Sequence, residues 1–198
     1  GKSAPWQDGF RLVGAHTDSP CLRLRPNPEL ADKNYLRFGA EIYGGVLLST
    51  WFDRDLSLAG RVSYVRSKGK GIASTLIDFK RPVAIVPNLA IHLNRSANEN
   101  RTIQKQTEVV PLMGHSGAGE TLEDLLVEQL KASGVKDVAQ VLSHELYFYD
   151  TQAPAKVGLH GEFFASSRLD NLLSCWAGAN AIANSKGDAT SVLVCSDH

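Results

Sequence analysis

The segment Phe10-Arg-Leu-Val-Gly-Ala-His-Thr-Asp-Ser-Pro20 joins a short apolar run to a polar cluster. Its first half, Phe10 to Ala15, reads as a buried strand. Its second half opens with His16 and Asp18. A second apolar run, Ser191-Val-Leu-Val-Cys195, leads in the same way into Ser196-Asp197-His198. A strand running into an acid or a histidine therefore occurs twice. In open α/β sheets, ligands sit outside the carboxyl ends of strands. The two outer segments are thus predicted to be pieces of one α/β sheet.

Between them the texture changes. Glu41 to Leu48, Arg61 to Val65, Ile72 to Phe79, Val83 to Val86 and Glu145 to Tyr149 read as strands punctuated by Gly and Pro. One helix interrupts them. Thr121 can cap it, with Asp124 completing an approximate capping box. Leu122, Leu125, Leu126 and Leu130 fall on one face, and Gly134 can end it. Asn94 to Gly119 reads as a long polar loop that is mobile or interacting. After Thr151, Arg168 to Asn184 reads as a helix with Leu172, Leu173, Trp176 and Ala179 near one side. The expected organisation is an α/β core made of residues 1–20 and 152–198, interrupted by a β-rich insertion over residues 21–151.

Composition sets bounds on function. With 198 residues, 43% of them hydrophobic, the chain can bury one sizeable core or two small lobes. Lys plus Arg and Asp plus Glu both total 21, which removes any electrostatic reason to expect nucleic acid or an anionic membrane as partner. No apolar run approaches the roughly 18 residues of a membrane span. The start lacks both an initiator Met and the pattern of a signal peptide, so the true N-terminus is expected upstream. Cys21, Cys175 and Cys195 show no metal-type spacing and fit a reducing cytoplasm. Gly1-Lys2-Ser3 resembles the tail of a phosphate loop, but Pro5-Trp6 opens a helix poorly. Gly114 to Gly119 reads as a flexible loop, and Lys68-Gly-Lys70 as a solvated turn.

Three positions carry candidate chemistry. A neutral imidazole at His16 is a good zinc ligand. Asp18 could hold its other ring nitrogen and so fix tautomer and orientation. The same residues also suit an ordinary loop with a turn at Pro20. Asp170, in Ser167-Arg-Leu-Asp-Asn171, sits where an apolar helix begins; it suits a metal ligand or a helix-start acid. Asp197 and His198 suit a plain strand exit as well as a site.

Five segments together resemble the M18 (aspartyl aminopeptidase-like) family of metalloaminopeptidases. Leu12-Val-Gly-Ala-His-Thr-Asp-Ser-Pro-Cys-Leu22 resembles its first metal-site motif. Ser49-Thr-Trp-Phe-Asp-Arg-Asp-Leu-Ser-Leu-Ala-Gly60 resembles the entry into its inserted domain, and Pro87-Asn-Leu-Ala-Ile-His-Leu-Asn-Arg95 a segment within that domain. Ser167-Arg-Leu-Asp-Asn171 and Cys195-Ser-Asp-His198 resemble the second and third site motifs. They occur in the family's order across nearly the whole chain.

The resemblance implies zinc-dependent removal of N-terminal residues from peptides, with two metals per complete site; other divalent metals could serve. His16 would bind one zinc, Asp18 would orient His16, and Asp170 would bridge both metals, with a cis peptide bond to Asn171. His92 would reach a neighbouring subunit's active site and contact substrate; it also suits a half-buried strand histidine. The insertion would be a dimerisation domain in a large homo-oligomer. The family's two glutamates, general base and ligand, follow Asp-His, and a later Asp and His complete the site. All four lie outside this sequence, so the 198-residue chain alone is expected to be inactive. Asp197 and His198 would be lead-in residues. Acidic selectivity is suggested only by the family's name. The rival readings are a related two-metal aminopeptidase or deacylase, and a non-catalytic oligomerisation module.

Overall fold

The computed structural model describes residues 2–32, 34–67, 71–115 and 121–197. The expectations for Gly1, Lys68-Gly-Lys70, Ser116 to Gly119 and His198 lie outside the described residues. The architecture is mixed α/β. The chain divides into two compact units, one formed by the residues up to Ser19 together with those from Ala153 onward, the other by Pro20–Gln152.

The first unit contains a short helix α1 (Pro5–Asp8) and strand β1 (Phe10–His16). The second unit holds β2 (Cys21–Asp32), β3 (Tyr35–Tyr43), β4 (Leu56–Val65), β5 (Ile72–Asp78), β6 (Leu112–His115), helix α2 (Leu122–Ala132) and β7 (Gln140–Asp150). The chain returns to the first unit with β8 (Ala155–Val157), β9 (Phe163–Ala165), helix α3 (Leu169–Ala183) and β10 (Thr190–Ser196).

In the second unit, six strands form an antiparallel sheet in the order β5-β4-β7-β2-β3-β6. Leu146 and Phe148 of β7 are fully buried while Glu145 faces solvent, the period-2 alternation of a strand with one wet face. β2 is a strand that sequence reading passes over, because it contains Pro26 and Pro28. Its pairing with β3 slips between Leu24 and Glu29, so the prolines, which have no N–H to donate, fall at the irregularity. The strand expected over Glu41 to Leu48 stops pairing at Tyr43, where Gly44 turns the backbone to φ +74. Val83 to Val86 makes only isolated bridges, and Leu112–His115 forms a strand inside the expected loop.

Helix α2 forms as expected. The Thr121 hydroxyl accepts from the Asp124 amide, and the Asp124 carboxylate accepts from the Thr121 amide. Glu29 Oε1 accepts from the Leu122 amide at 2.8 Å, which satisfies another first-turn donor and ties the helix to β2. Leu122, Leu126 and Leu130 repeat every four residues and are buried in the core. Each such leucine contributes about 1.5–3 kcal/mol by leaving water. Gly134, at φ +92, ends the helix.

In the first unit, β1 and β10 pair in parallel from Phe10↔Thr190 to His16↔Ser196. Their carboxyl ends therefore finish side by side. Gly178 brings α3 against Leu193 of β10; a Cβ there would lie 2.6 Å from Leu193 Cδ1. The apolar side expected of α3 is present but exposed: Leu173 is 60% and Trp176 65% accessible. No helix among the described residues is long and apolar enough to cross a membrane.

Candidate metal centre

His16 closes β1 at the carboxyl end of the parallel pair. The next residues are held to β10, since the Thr17 amide donates to the Ser196 carbonyl at 2.8 Å. This turns the chain back so that Asp18 meets the ring of His16. Nδ1 of His16 lies 3.1 Å from Asp18 Oδ1 and 3.2 Å from the Asp18 carbonyl. With both acceptors on that side, the imidazole carries its proton on Nδ1 and leaves the Nε2 lone pair free.

Nε2 faces Asp170. The separation to Asp170 Oδ1 is 3.6 Å. Asp170 reaches this place through an irregular start to α3. Arg168 is left-handed at φ +66, Asp170 and Asn171 have non-helical dihedrals, and the peptide bond between them is cis. The Ser19 hydroxyl donates to the Asp170 carbonyl at 3.2 Å, anchoring that backbone to the His16 loop. Cys175, six residues past the first residue of α3, donates its thiol to the His16 carbonyl at 3.3 Å. Burial, and then a hydrogen bond with Cys195, push the Cys175 thiol above its ordinary range, which keeps it in the protonated, donating form.

The imidazole and carboxylate donors fit zinc. Two ligands of one tetrahedral zinc, each about 2.0–2.2 Å from it, stand about 3.4 Å apart, close to the His16–Asp170 separation. Asp18, 11% exposed, is the sheltered partner of the ring, whereas the Asp170 side chain is 93% exposed with its carboxylate open. No group of three or more His, Cys, Asp and Glu that could hold a metal exists among the described residues. Asp197 follows β10 and is exposed, and His198 lies outside the described residues. His92 belongs to the second unit, exposed in a 3-10 turn over Ile91–Leu93. The supporting contacts of Ser19 and Cys175 carry no signal in the sequence, because both act on backbone carbonyls brought near only by the fold.

The family model described as "Aminopeptidase I zinc metalloprotease (M18)" matches residues 1–198. The chain belongs to the M18 family. A relative named probable M18 family aminopeptidase 2 from Pseudomonas putida (strain GB-1) is 56% identical over 200 residues, covering 100% of this chain and 46% of its own length. The protein of that name from Pseudomonas fluorescens (strain Pf0-1) is 54% identical with the same coverage. The chain thus spans about half the length of the curated M18 relatives it matches. Among solved structures, Ape4 in its cryo-EM complex with Nbr1 matches at a TM-score of 0.82 and 34% identity, over 97% of this chain and 40% of that one. The S. cerevisiae mApe1 dodecamer matches at a TM-score of 0.71 and 25% identity, over 93% and 42%.

Proposed function

We propose that the complete protein is a zinc-dependent aminopeptidase in which His16 and Asp170 are metal ligands and Asp18 orients His16. The observation that carries this reading is the pair of contacts on one imidazole, Asp18 at Nδ1 and Asp170 facing Nε2. The family is a zinc metalloprotease family by its description, and a neutral imidazole beside an open carboxylate is a donor set that zinc prefers.

Each residue then has a role that follows from its placement. Asp18 accepts a hydrogen bond from the Nδ1–H and fixes the ring, so Nε2 always presents its lone pair to the same point. Asp170 has its carboxylate open to solvent, so its two oxygens would be free to hold metal, one or two ions, beside His16. Ser19 and Cys175 hold the carbonyls behind these side chains. When bound, zinc lowers the pKa of a water and polarises the scissile carbonyl. By the family resemblance, the general base and the remaining ligands would follow the Asp197-His198 motif.

The second unit is proposed as the dimerisation domain, with His92 contacting substrate in a neighbouring subunit of a large homo-oligomer. Support comes from the match to a dodecameric structure and from the exposed setting of His92. The substrates would be peptides, with acidic N-terminal residues as the class the family's name suggests. The three cysteines, Cys21, Cys175 and Cys195, agree with a reducing, cytoplasmic setting.

The test is hydrolysis of Asp-, Glu- and Leu-arylamides by the uninterrupted protein, with and without chelator and added zinc. Chelator-sensitive release, fastest from acidic residues and lost in His16→Ala and Asp170→Ala, is the expected result. Release from Leu alone would remove acidic selectivity and keep the peptidase. No release from folded, zinc-loaded, complete protein would overturn the enzyme.

A further inference from the structure

The segment Pro87 to Leu93 carries His92 and three large apolar side chains, yet every residue in it is exposed. Leu89, Ile91 and Leu93 are 64, 53 and 68% accessible. Within the turn, the Leu93 amide donates to the Ala90 carbonyl at 2.9 Å and the Asn94 amide to the Ile91 carbonyl at 3.1 Å. These bonds shape the turn but do not aim it. Burial does not aim it either, because the segment has no buried residue.

The fixation lies at Asn88, where all three polar groups on the residue's near side are engaged. Its amide donates to Asp53 Oδ1 at 2.9 Å, and its Nδ2 donates to Asp53 Oδ2 at 2.8 Å. Its Oδ1 accepts from Arg101 Nη1 at 2.7 Å. Asp53 is itself anchored: it sits at φ +57, and its amide donates to the Val86 carbonyl at 2.9 Å. Arg101 is held from three directions. Its Cζ lies 4.4 Å from the ring centre of buried Phe52, and its Nη2 pairs with Glu108 Oε1 at 3.3 Å. Glu108 Oε2 in turn accepts from the Gln104 amide at 2.6 Å. The bonds to Asp53 and from Arg101 are charge-assisted and so stronger than neutral ones.

We infer that Asp53, Asn88 and Arg101 form a clamp that positions the Leu89–Leu93 turn, and that Asn88 is a positioning residue for His92. Three stretches separated in sequence, around Asp53, Asn88 and Arg101, meet at this one amide side chain. Chain order makes Asn88 the last fixed point before the turn, four residues from His92 along the chain. The hydrogen bonds from Asn88 also hold the Asp53 carboxyl below its ordinary range, Arg101 adding to the effect, so the acceptor is a carboxylate at neutral pH. A rigid base under an exposed apolar turn is what presenting one side chain to a neighbour requires, since a misplacement of about 1 Å can cost about 100-fold in rate. The catalytic half of this inference rests on the proposed substrate contact of His92.

The experiment uses the complete, assembled, zinc-loaded protein and compares Asn88→Ala, His92→Ala and the double variant. Arg101→Lys keeps the charge but not the planar fork. Two readouts are taken: hydrogen exchange of the Leu89 to Asn94 amides, and kcat/KM on an aminoacyl arylamide. The expected result is faster exchange in Asn88→Ala with the oligomer intact, and kcat/KM lowered by about 10- to 100-fold in both single variants. The double variant is expected to be no worse than His92→Ala, because the two act as one device. Arg101→Lys should fall between wild type and Asn88→Ala. Unchanged exchange in Asn88→Ala overturns the clamp whatever His92 does. Faster exchange with normal turnover in His92→Ala overturns the catalytic role and the His92 reading, while leaving the mechanical clamp established.

Discussion

Nδ1 of His16 lies 3.1 Å from a carboxylate oxygen of Asp18, two residues on, so the ring that faces Asp170 is fixed from behind by its own loop. An orienting carboxylate raises ligand basicity and sets the tautomer, and losing such a partner costs about 10- to 100-fold in metal affinity. Asp18→Asn is therefore expected to weaken zinc binding by about that factor in the complete protein, measured by competition with a coloured chelator. Asp18→Glu should recover part of the loss. Zinc affinity unchanged in Asp18→Asn would remove Asp18 from the site.

Much of this arrangement is legible in the sequence, and what is not has physical reasons. The apolar runs at Phe10 to Ala15 and Ser191 to Cys195 do give the paired strands β1 and β10, but the burial that such continuous runs predict is not met: Phe10, Leu12 and Val13 are exposed, because the described residues leave those side chains uncovered. The spacing of Leu122, Leu126 and Leu130 after Thr121 gives α2 with its cap. β2 stays hidden because Pro26 and Pro28 argue against a strand, and a bulge that accommodates them leaves no local signature. The end of β3 is misplaced because the apolar residues Val46 to Leu48 continue past the turn that Gly44 makes. At the site, a bare His-x-Asp is too common to identify anything. Its meeting with Asp170, 3.6 Å from the ring, is a tertiary event that only the ordered set of motifs foreshadowed. The clamp on Asn88 left no trace in the pattern, since its members are separated along the chain and each alone reads as loop.

Gly178 allows α3 to approach β10. A Cβ at this position would sit 2.6 Å from Leu193 Cδ1, the far end of a side chain that can move at some cost. Overpacking of this kind costs about 1–3 kcal/mol. Gly178→Ala is expected to lower stability toward urea by that amount. Combining it with Leu193→Ala should give less loss than the sum of the two single variants, because each relieves the other. Strict additivity would show that the contact does not limit the packing of α3.

Gly60 is less forgiving. It lies in β4 at φ +149, and a Cβ there would fall 2.0 Å from the Glu145 carbonyl oxygen of β7. Here the obstacle is backbone in the adjacent strand, so no side-chain rotation relieves it. Gly60→Ala must break ladder pairing between β4 and β7, in the middle of the sheet, at a cost on the order of 3 kcal/mol or more. Loss of soluble protein, or a urea midpoint lowered accordingly, is the expected outcome. A midpoint equal to wild type would mean the two strands separate more easily than their register indicates.

The α2 cap offers a smaller and cleaner measurement. Thr121 accepts from the Asp124 amide at 3.2 Å, and Asp124 answers at the Thr121 amide at 3.1 Å. Removing an N-cap hydroxyl typically costs about 1 kcal/mol. Thr121→Ala is expected to lose about that much, and Thr121→Ser to keep most of it. A loss in Thr121→Ser equal to that in Thr121→Ala would move the effect from the hydroxyl to the threonine methyl.

His144, on β7, supplies a dependence on pH whose sign can be worked out. Burial holds its imidazole below the ordinary value; the charge of Arg23 acts in the same direction, and the Pro26 carbonyl opposes them. The folded state therefore binds this proton later than the unfolded chain does, whose histidine titrates near about 6.5. Between the two values the unfolded state carries more protons, so stability rises with pH. The contribution is complete above the unfolded value and is lost as pH falls from there toward the depressed folded one. Urea midpoints of the complete protein should drop between about pH 7.5 and 5.5, and the drop should shrink in His144→Gln, where nothing at this position titrates. Other histidines contribute equally to both proteins, so the difference between the two slopes isolates this residue. Identical slopes would mean that His144 is as easily protonated in the fold as out of it.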